Sequence, residues 1–194
     1  MVKRSTGRDW AQAFQALNEE LSKNRLTLRI ICSGGYVIQR MGIRGTADID
    51  AFYTSTDALD RMIRSIGERY EINPAGSAWL NNAIASVNDW PEPQYCRNVH
   101  EFSNLTVDEV TTEYLMGMKL HSNRDVDVED VGSIVKGRSM EDPIGLYKLL
   151  VGMSFKLSMV SVLRAFSFAY GADWTAAYYK EHSREILDLL NSDW

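Results

Sequence analysis

Two cysteines, Cys32 and Cys96, and four prolines are all that the 194 residues hold of either type. Neither cysteine sits in a Cys–His cluster, which argues against a disulfide framework and against a structural zinc site. A reducing, cytoplasmic compartment is expected. Histidine is scarce too. His100, His121 and His182 stand apart, with neither His-Glu-x-x-His nor triad spacing, so they read as surface or partly buried residues. No long hydrophobic run exists. The most apolar stretch, from Ile144 to Tyr170, is broken by Lys148, Lys156 and Arg164. It reads as a buried helix or as a subunit interface of a homo-oligomer, not as a membrane span. No apolar segment follows Met1 to Gly7, so no secretory signal and no membrane partner are expected. An excess of basic charge is also lacking. The net charge is −5 and the pI about 5.3, which argues against a protein that coats nucleic acid, though not against a local basic patch.

What remains is ordinary globular material, 45% hydrophobic and 24% charged. A chain of this length buries roughly 70% of its unfolded surface and needs no staple. No internal repeat or low-complexity tract is present.

Periodicity predicts a helix from Asp9 to Lys23, with Thr6 and Asp9 as a weak capping signal and Asn24 as its stop. A strand follows over Leu26 to Cys32. Ser33-Gly34-Gly35 breaks it, and a short helix from Tyr36 to Met41 closes at Gly42. Arg44-Gly45-Thr46 is a turn before a second strand, Asp48 to Tyr53. Thr56 and Asp57 start a helix with Leu59, Met62, Ile63 and Ile66 on its apolar face. A short strand is expected at Tyr70 to Ile72, a helix at Ala78 to Val87, and two strands at Tyr95 to Phe102 and Leu105 to Val110. Thr112 caps a helix to about Ser122, and a short helix follows Asp127. Asp142-Pro143 opens a long helix that Gly171 stops, and Asp173 caps the last one. The expected class is α+β (α/β), a mixed sheet with packed helices plus a helical C-terminal lobe. The division is set at residues 1–138 and 139–194, the second lobe packed on the first.

Two features carry chemistry. Ser33-Gly34-Gly35 lies between a strand and a helix, where glycine lets a backbone approach a ligand and helix N–H groups can hold phosphate. Read alone it is better taken as a tight strand-to-helix turn. In Asp48-Ile49-Asp50, alternation on a strand points both carboxylates one way. Like charges so close repel unless a cation sits between them, and carboxylates suit Mg²⁺ held together with substrate phosphates. The alternative is a solvated strand face. Taken together, the two place a phosphate cradle beside a metal site, the layout that holds a nucleoside triphosphate.

Gly34-Gly35 followed by Arg44-Gly45-Thr46-Ala47-Asp48-Ile49-Asp50 resembles the start of the minimal nucleotidyltransferases of the polymerase-β superfamily, and more particularly the AbiEii-like, toxin-type bacterial members. Lys119 on a helix, then Arg124, then Asp127 and Asp130 fall where that group carries a Lys, an Arg and an acidic helix start. The resemblance covers roughly residues 26 to 135. It implies that Asp48 and Asp50 bind Mg²⁺ or Mn²⁺ and are catalytic together with Lys119 and Asp127. It also implies that Ser33, Gly34, Gly35, Lys119 and Arg124 bind the nucleotide. The implied reaction moves a nucleoside monophosphate from a nucleoside triphosphate such as ATP to an acceptor hydroxyl. The 3′ end of a tRNA is the implied acceptor, and the protein would be the toxin of a toxin–antitoxin pair with a cognate antitoxin partner.

The residues leave alternatives open. Lys119 shares a helix face with Leu115 and reads equally as a snorkelling or solvated lysine. Asp127 and Asp130 read equally as a capping box at a helix start, and Arg124 as their ion-pair partner. Gly35 stands where many relatives carry Ser, so one hydroxyl contact is absent unless Ser33 supplies it. A third carboxylate is not evident; Asp108 or Asp127 are the options. Trp79, Trp90 and Trp174 read as packing residues, and Met116, Met118, Met153 and Met159 as core. Basic residues pair up at Arg40 with Arg44, Arg61 with Arg64, and Lys136 with Arg138. The same chemistry on a protein or an antibiotic-type small molecule, or a non-catalytic nucleotide-binding module, are the other readings.

Overall fold

A computed structural model describes residues 10–192; the capping signal at Thr6 and Asp9 lies outside them. The chain divides into two compact units, Met1–Thr111 and Thr112–Trp194. The architecture is α+β, as the sequence implies.

The first unit is built on a mixed sheet. Helix α1 (Ala11–Lys23) precedes β1 (Leu28–Cys32), α2 (Gly34–Arg40), β2 (Ile49–Phe52), α3 (Asp57–Arg69), β3 (Leu80–Asn81), β4 (Cys96–Glu101) and β5 (Leu105–Val110). The strand order is β3-β2-β1-β5-β4. Strand β1 runs parallel to β5 and antiparallel to β2, β2 runs parallel to β3, and β4 runs antiparallel to β5. Cys32 lies opposite Ala51 and beside Glu109, while Ile31 lies opposite Phe52 and beside Asp108. Side chains alternate across a strand. One face therefore carries Ile30, Cys32, Ile49, Ala51, Val107 and Glu109, and the other Ile31, Asp50, Phe52 and Asp108. The core gathers Phe14, Leu17, Ile38, Ile63 and Trp79, all fully buried. Trp79 donates its indole N–H to the Ile63 carbonyl at 2.9 Å.

Two expectations fail in this unit, each for its own reason. The helix expected over Ala78 to Val87 is the short strand β3 followed by a 3-10 turn, Ala83–Ser86. The edge of β2 needs a partner: Ile49 donates to the Trp79 carbonyl at 2.7 Å, and Asp50 pairs with Asn81. Sheet pairing outweighs local helical preference. The strand expected at Tyr70 to Ile72 is instead the close of α3. Glu71 takes φ +53°, and the Ile72 N–H reaches back to the Gly67 carbonyl at 2.9 Å.

The second unit is helical: α4 (Thr112–Ser122), α5 (Asp125–Gly137), α6 (Pro143–Gly152), α7 (Met159–Tyr170), α8 (Ala172–Glu181) and α9 (Ser183–Ser192). Helix α5 packs chiefly on α7. Gly132 permits it, since a Cβ there would stand 2.7 Å from the Ala165 carbonyl oxygen. Arg138, just past α5, bonds Glu113 at 2.7 Å and the Thr112 hydroxyl at 2.5 Å. These ties hold α4 and α5 to the later helices, so the units part at Thr111, ahead of residue 138.

The long helix expected from Pro143 to Tyr170 is two helices. Ser154 takes φ +69°, Phe155 donates back to the Leu150 carbonyl, and Ser158 caps α7 through the Val160 N–H at 3.1 Å. Phe155 fills the space that the missing side chain of Gly117 leaves, edge-on to Tyr114 at 4.9 Å. The last helix also breaks, at His182, between α8 and α9. Among the described residues no helix is long and apolar enough to cross a membrane.

Candidate functional site

In the first unit, Ser33, Gly34 and Gly35 join β1 to α2. The structure starts α2 at Gly34, two residues before the expected Tyr36. Ser33 is fully buried, and its N–H donates to the Asp50 carbonyl at 2.8 Å. It holds the end of β1 to β2 and does not present its hydroxyl to solvent. Gly34 takes φ +57°, a left-handed conformation that favours glycine. A Cβ on Gly34 would stand 3.0 Å from the Asp50 carboxylate, so the opening of α2 lies directly against that acid. At Gly35 the place of a Cβ is taken by the Thr46 hydroxyl. That explains the glycine where a serine was the expectation: any side chain here displaces Thr46. Thr46 is itself fixed, donating its hydroxyl to the Asp48 carbonyl at 3.0 Å and its N–H to the Gln39 side chain at 3.1 Å.

Asp48 is the residue before β2 and Asp50 its second residue. Both are half-exposed, and the Ile49 between them is fully buried. The alternation expected from Asp-x-Asp is therefore present. The Asn81 amide reaches the Asp48 carboxylate at 3.4 Å. Asn81 gave no sequence signal, because its segment reads as helix.

Asp108, one option for a third carboxylate, is buried and paired. That acid shares the face of Asp50 but is 3% exposed, ion-paired to Arg29 at 2.6 Å and bonded by Asn98 at 3.0 Å. Its neighbour Glu109 lies on the opposite face, fully buried between Arg97 and Arg40, with Arg40 Nε 2.8 Å from its carboxylate. Arg40 ends α2, so Glu109 fastens that helix to the sheet. Beside it, burial above all, and then the charges of Glu109 and Asp108, push the Cys32 thiol well up, which removes it as a nucleophile. Among the described residues no group of three or more His, Cys, Asp or Glu is placed to share a metal ion. The donor set of Asp48 and Asp50 is two carboxylates with open surface. It fits a hard divalent cation that takes its other ligands from water and phosphate.

The second unit holds Lys119, Arg124 and Asp127. Lys119 is 6% exposed on α4 and donates to Asp127 at 2.8 Å and Asp130 at 2.7 Å, both on α5 and both buried. Arg124 donates to the other oxygen of Asp127 at 2.6 Å. Burial alone would raise the Asp127 pKa; the hydrogen bonds from Arg124 and Lys119 outweigh it and hold the carboxyl below its usual value of 3.8. The capping-box expectation is corrected: α5 begins at Asp125 with Arg124 as its N-cap, so Asp127 is inside the helix and turned inward. Its partner is a cation and not an N–H group at a helix end. The structure thus brings Ser33, Gly34, Gly35, Asp48 and Asp50 together in the first unit, and Lys119, Arg124 and Asp127 together in the second.

A family model described as a nucleotidyltransferase of unknown function (DUF6036) matches residues 9–140. No curated protein and no solved structure matches the chain.

Proposed function

This chain belongs to that family of nucleotidyltransferases, and on that premise we propose that it moves a nucleoside monophosphate from a nucleoside triphosphate to an acceptor hydroxyl, with Asp48 and Asp50 holding Mg²⁺ or Mn²⁺. The observation that carries the reading is the pair of half-exposed carboxylates flanking buried Ile49, set against the glycine opening of α2. A divalent cation bound there supplies positive charge against the triphosphate oxygens.

The chain's own residues do the rest. The backbone N–H groups at Gly34 and Gly35 open α2 and would donate to phosphate oxygens. Ser33 locks β1 to β2 at the Asp50 carbonyl, so the acid and the glycines keep one geometry. Asn81 and Thr46 orient Asp48, from its carboxylate and its carbonyl. Such positioning, with little covalent chemistry from the protein, is what phosphoryl transfer asks for. The reading leaves Lys119, Arg124 and Asp127 to their own ion pair.

For the acceptor, the 3′ end of a tRNA is the first choice, with the protein as the toxin of a pair. Arg61, Arg64 and Arg69 are exposed on α3, and Arg61 and Arg69 line a cleft of about 350 Å³ with Glu20 and Ser65. The same helix exposes Asp57, Asp60 and Glu68 and so carries no net charge; any binding of RNA through its arginines weakens steeply with salt.

The test incubates the protein with Mg²⁺, each α-labelled nucleoside triphosphate and total tRNA, with Asp48→Asn as control. Label entering tRNA with the wild type alone is the expected result. Label entering protein or an aminoglycoside instead would keep the reaction and replace the acceptor. No label on any acceptor would overturn the reading.

A further inference from the structure

Trp90 departs from the other tryptophans described in the first unit. It was expected to pack, yet 49% of it is exposed, whereas Trp10 and Trp79 are buried. The ring is nevertheless held. Its centroid lies 6.0 Å from that of Phe52, with the planes tilted by 57°, and Phe52 is fully buried. Part of the indole rests on the core and the rest stands in water. Val87, on the same loop, is 77% exposed. Leaving an indole in water forgoes the burial that aromatic side chains otherwise contribute, and Trp90 and Val87 leave apolar surface on one loop open to a ligand.

Its position says what. Phe52 is two residues beyond Asp50 on β2, on the same face, and two residues of strand span about 6.7 Å. The loop bearing Trp90 follows the 3-10 turn that packs against β2, where Asn82 donates to the Tyr53 carbonyl at 3.4 Å. Trp90 therefore stands by the far end of the strand face that begins with Asp48 and Asp50. A nucleotide whose phosphates meet those carboxylates carries its base one ribose away.

Building on the nucleotidyl-transfer reading, we infer that Trp90 is the stacking platform for the base of the nucleoside triphosphate. Every base has a π-face, so a platform of this kind accepts the bases as a class and favours the larger purines, without reading their edges. Trp90 sets affinity for the nucleoside and takes no part in holding the triphosphate.

The full chain is titrated in Mg²⁺ with ATP and, separately, with inorganic tripolyphosphate, binding being read by calorimetry and by indole fluorescence. The wild type is expected to bind both and to be quenched by ATP alone. Trp90→Ala should weaken ATP by at least about fivefold and leave tripolyphosphate unchanged. Trp90→Phe should keep most of the ATP affinity and lose the quench. Unchanged ATP affinity in Trp90→Ala overturns the stacking and leaves the transfer reading standing. Equal weakening of both ligands also overturns the stacking, since it reports a disturbed fold. A wild type that binds neither ligand overturns both readings.

Discussion

Asp48 and Asp50 differ from Asp127 and Asp130 in how the protein treats the same residue type at nearly the same spacing. In the second unit the acids are buried, and each receives a cation at hydrogen-bond distance. In the first, the acids are half-exposed, flank a buried isoleucine, and one of them abuts a glycine whose missing side chain leaves it room. A buried acid with a built-in cation is complete, and its role is to fix helix to helix. Two adjacent acids with open surface gain most from a cation that comes and goes. On the proposed reading the first pair serves the transfer and the second the packing of α4 on α5.

The largest effect is expected where the chemistry is placed. Asp48→Asn or Asp50→Asn should lower transfer by about a thousandfold or more, since a metal's charge is worth several kcal/mol to such a reaction. Thermal unfolding should be unchanged or slightly raised, because a like-charge repulsion is relieved. Activity within a few-fold of wild type in either variant would dissolve the contrast between the two acid pairs.

Lys119→Ala is the opposite case. Removing Lys119 takes its buried cation from Asp130 and leaves Asp127 with Arg124 alone, which costs about 3–5 kcal/mol. The midpoint of urea unfolding should fall accordingly, with helical circular dichroism lost first. A variant as stable as wild type but weak in nucleotide binding would move Lys119 from structure to the site.

The outcome for Lys119 shows what the sequence could carry. Its motif context pointed to phosphate and its bare chemistry to solvent; the structure buries it against Asp127 and Asp130, away from solvent. Two acids eight and eleven positions away become neighbours only once α4 and α5 pack, and no local pattern states that. The same holds for Asn81 and for β3, which exist because β2 has an edge to cover. By contrast, Ser33-Gly34-Gly35, Asp-x-Asp and the strands β1, β4 and β5 were legible, because turn chemistry and alternation are local. The burial of Glu109 between two arginines, and the exposure of Trp90 over Phe52, are tertiary facts of the first kind.

Gly35 gives a smaller test of how tightly the first site is built. Gly35→Ser would drive a side chain into Thr46, an overpacking that costs about 1–3 kcal/mol, and it would shift the residue that holds the Asp48 carbonyl. Transfer should fall along with the melting temperature. Adding Thr46→Gly should restore part of the stability, since it removes both the hydroxyl and the Cβ that crowd position 35. A second change that restores nothing would mean that Thr46 is not the obstacle.

The smallest effect is the pH dependence that Asp127 contributes. The Asp127 carboxyl is held below its unfolded value by Arg124 and Lys119, so above about pH 5 the unfolded chain binds almost no proton there and the stabilisation is present in full. As the pH falls, the unfolded state takes up its proton first. Stability then drains away, and the contribution is gone once the pH has passed below the folded pKa. Other carboxylates titrate in the same window, Glu20 among them, held down by the hydrogen bond from Lys23. The useful quantity is therefore the gap between wild type and Asp127→Asn, measured by urea unfolding at pH 6, 4 and 3. That gap should be widest at pH 6 and narrow on the way to pH 3. A gap that stays constant would mean that Asp127 carries no linkage and that the ion pair with Lys119 and Arg124 does less than its geometry implies.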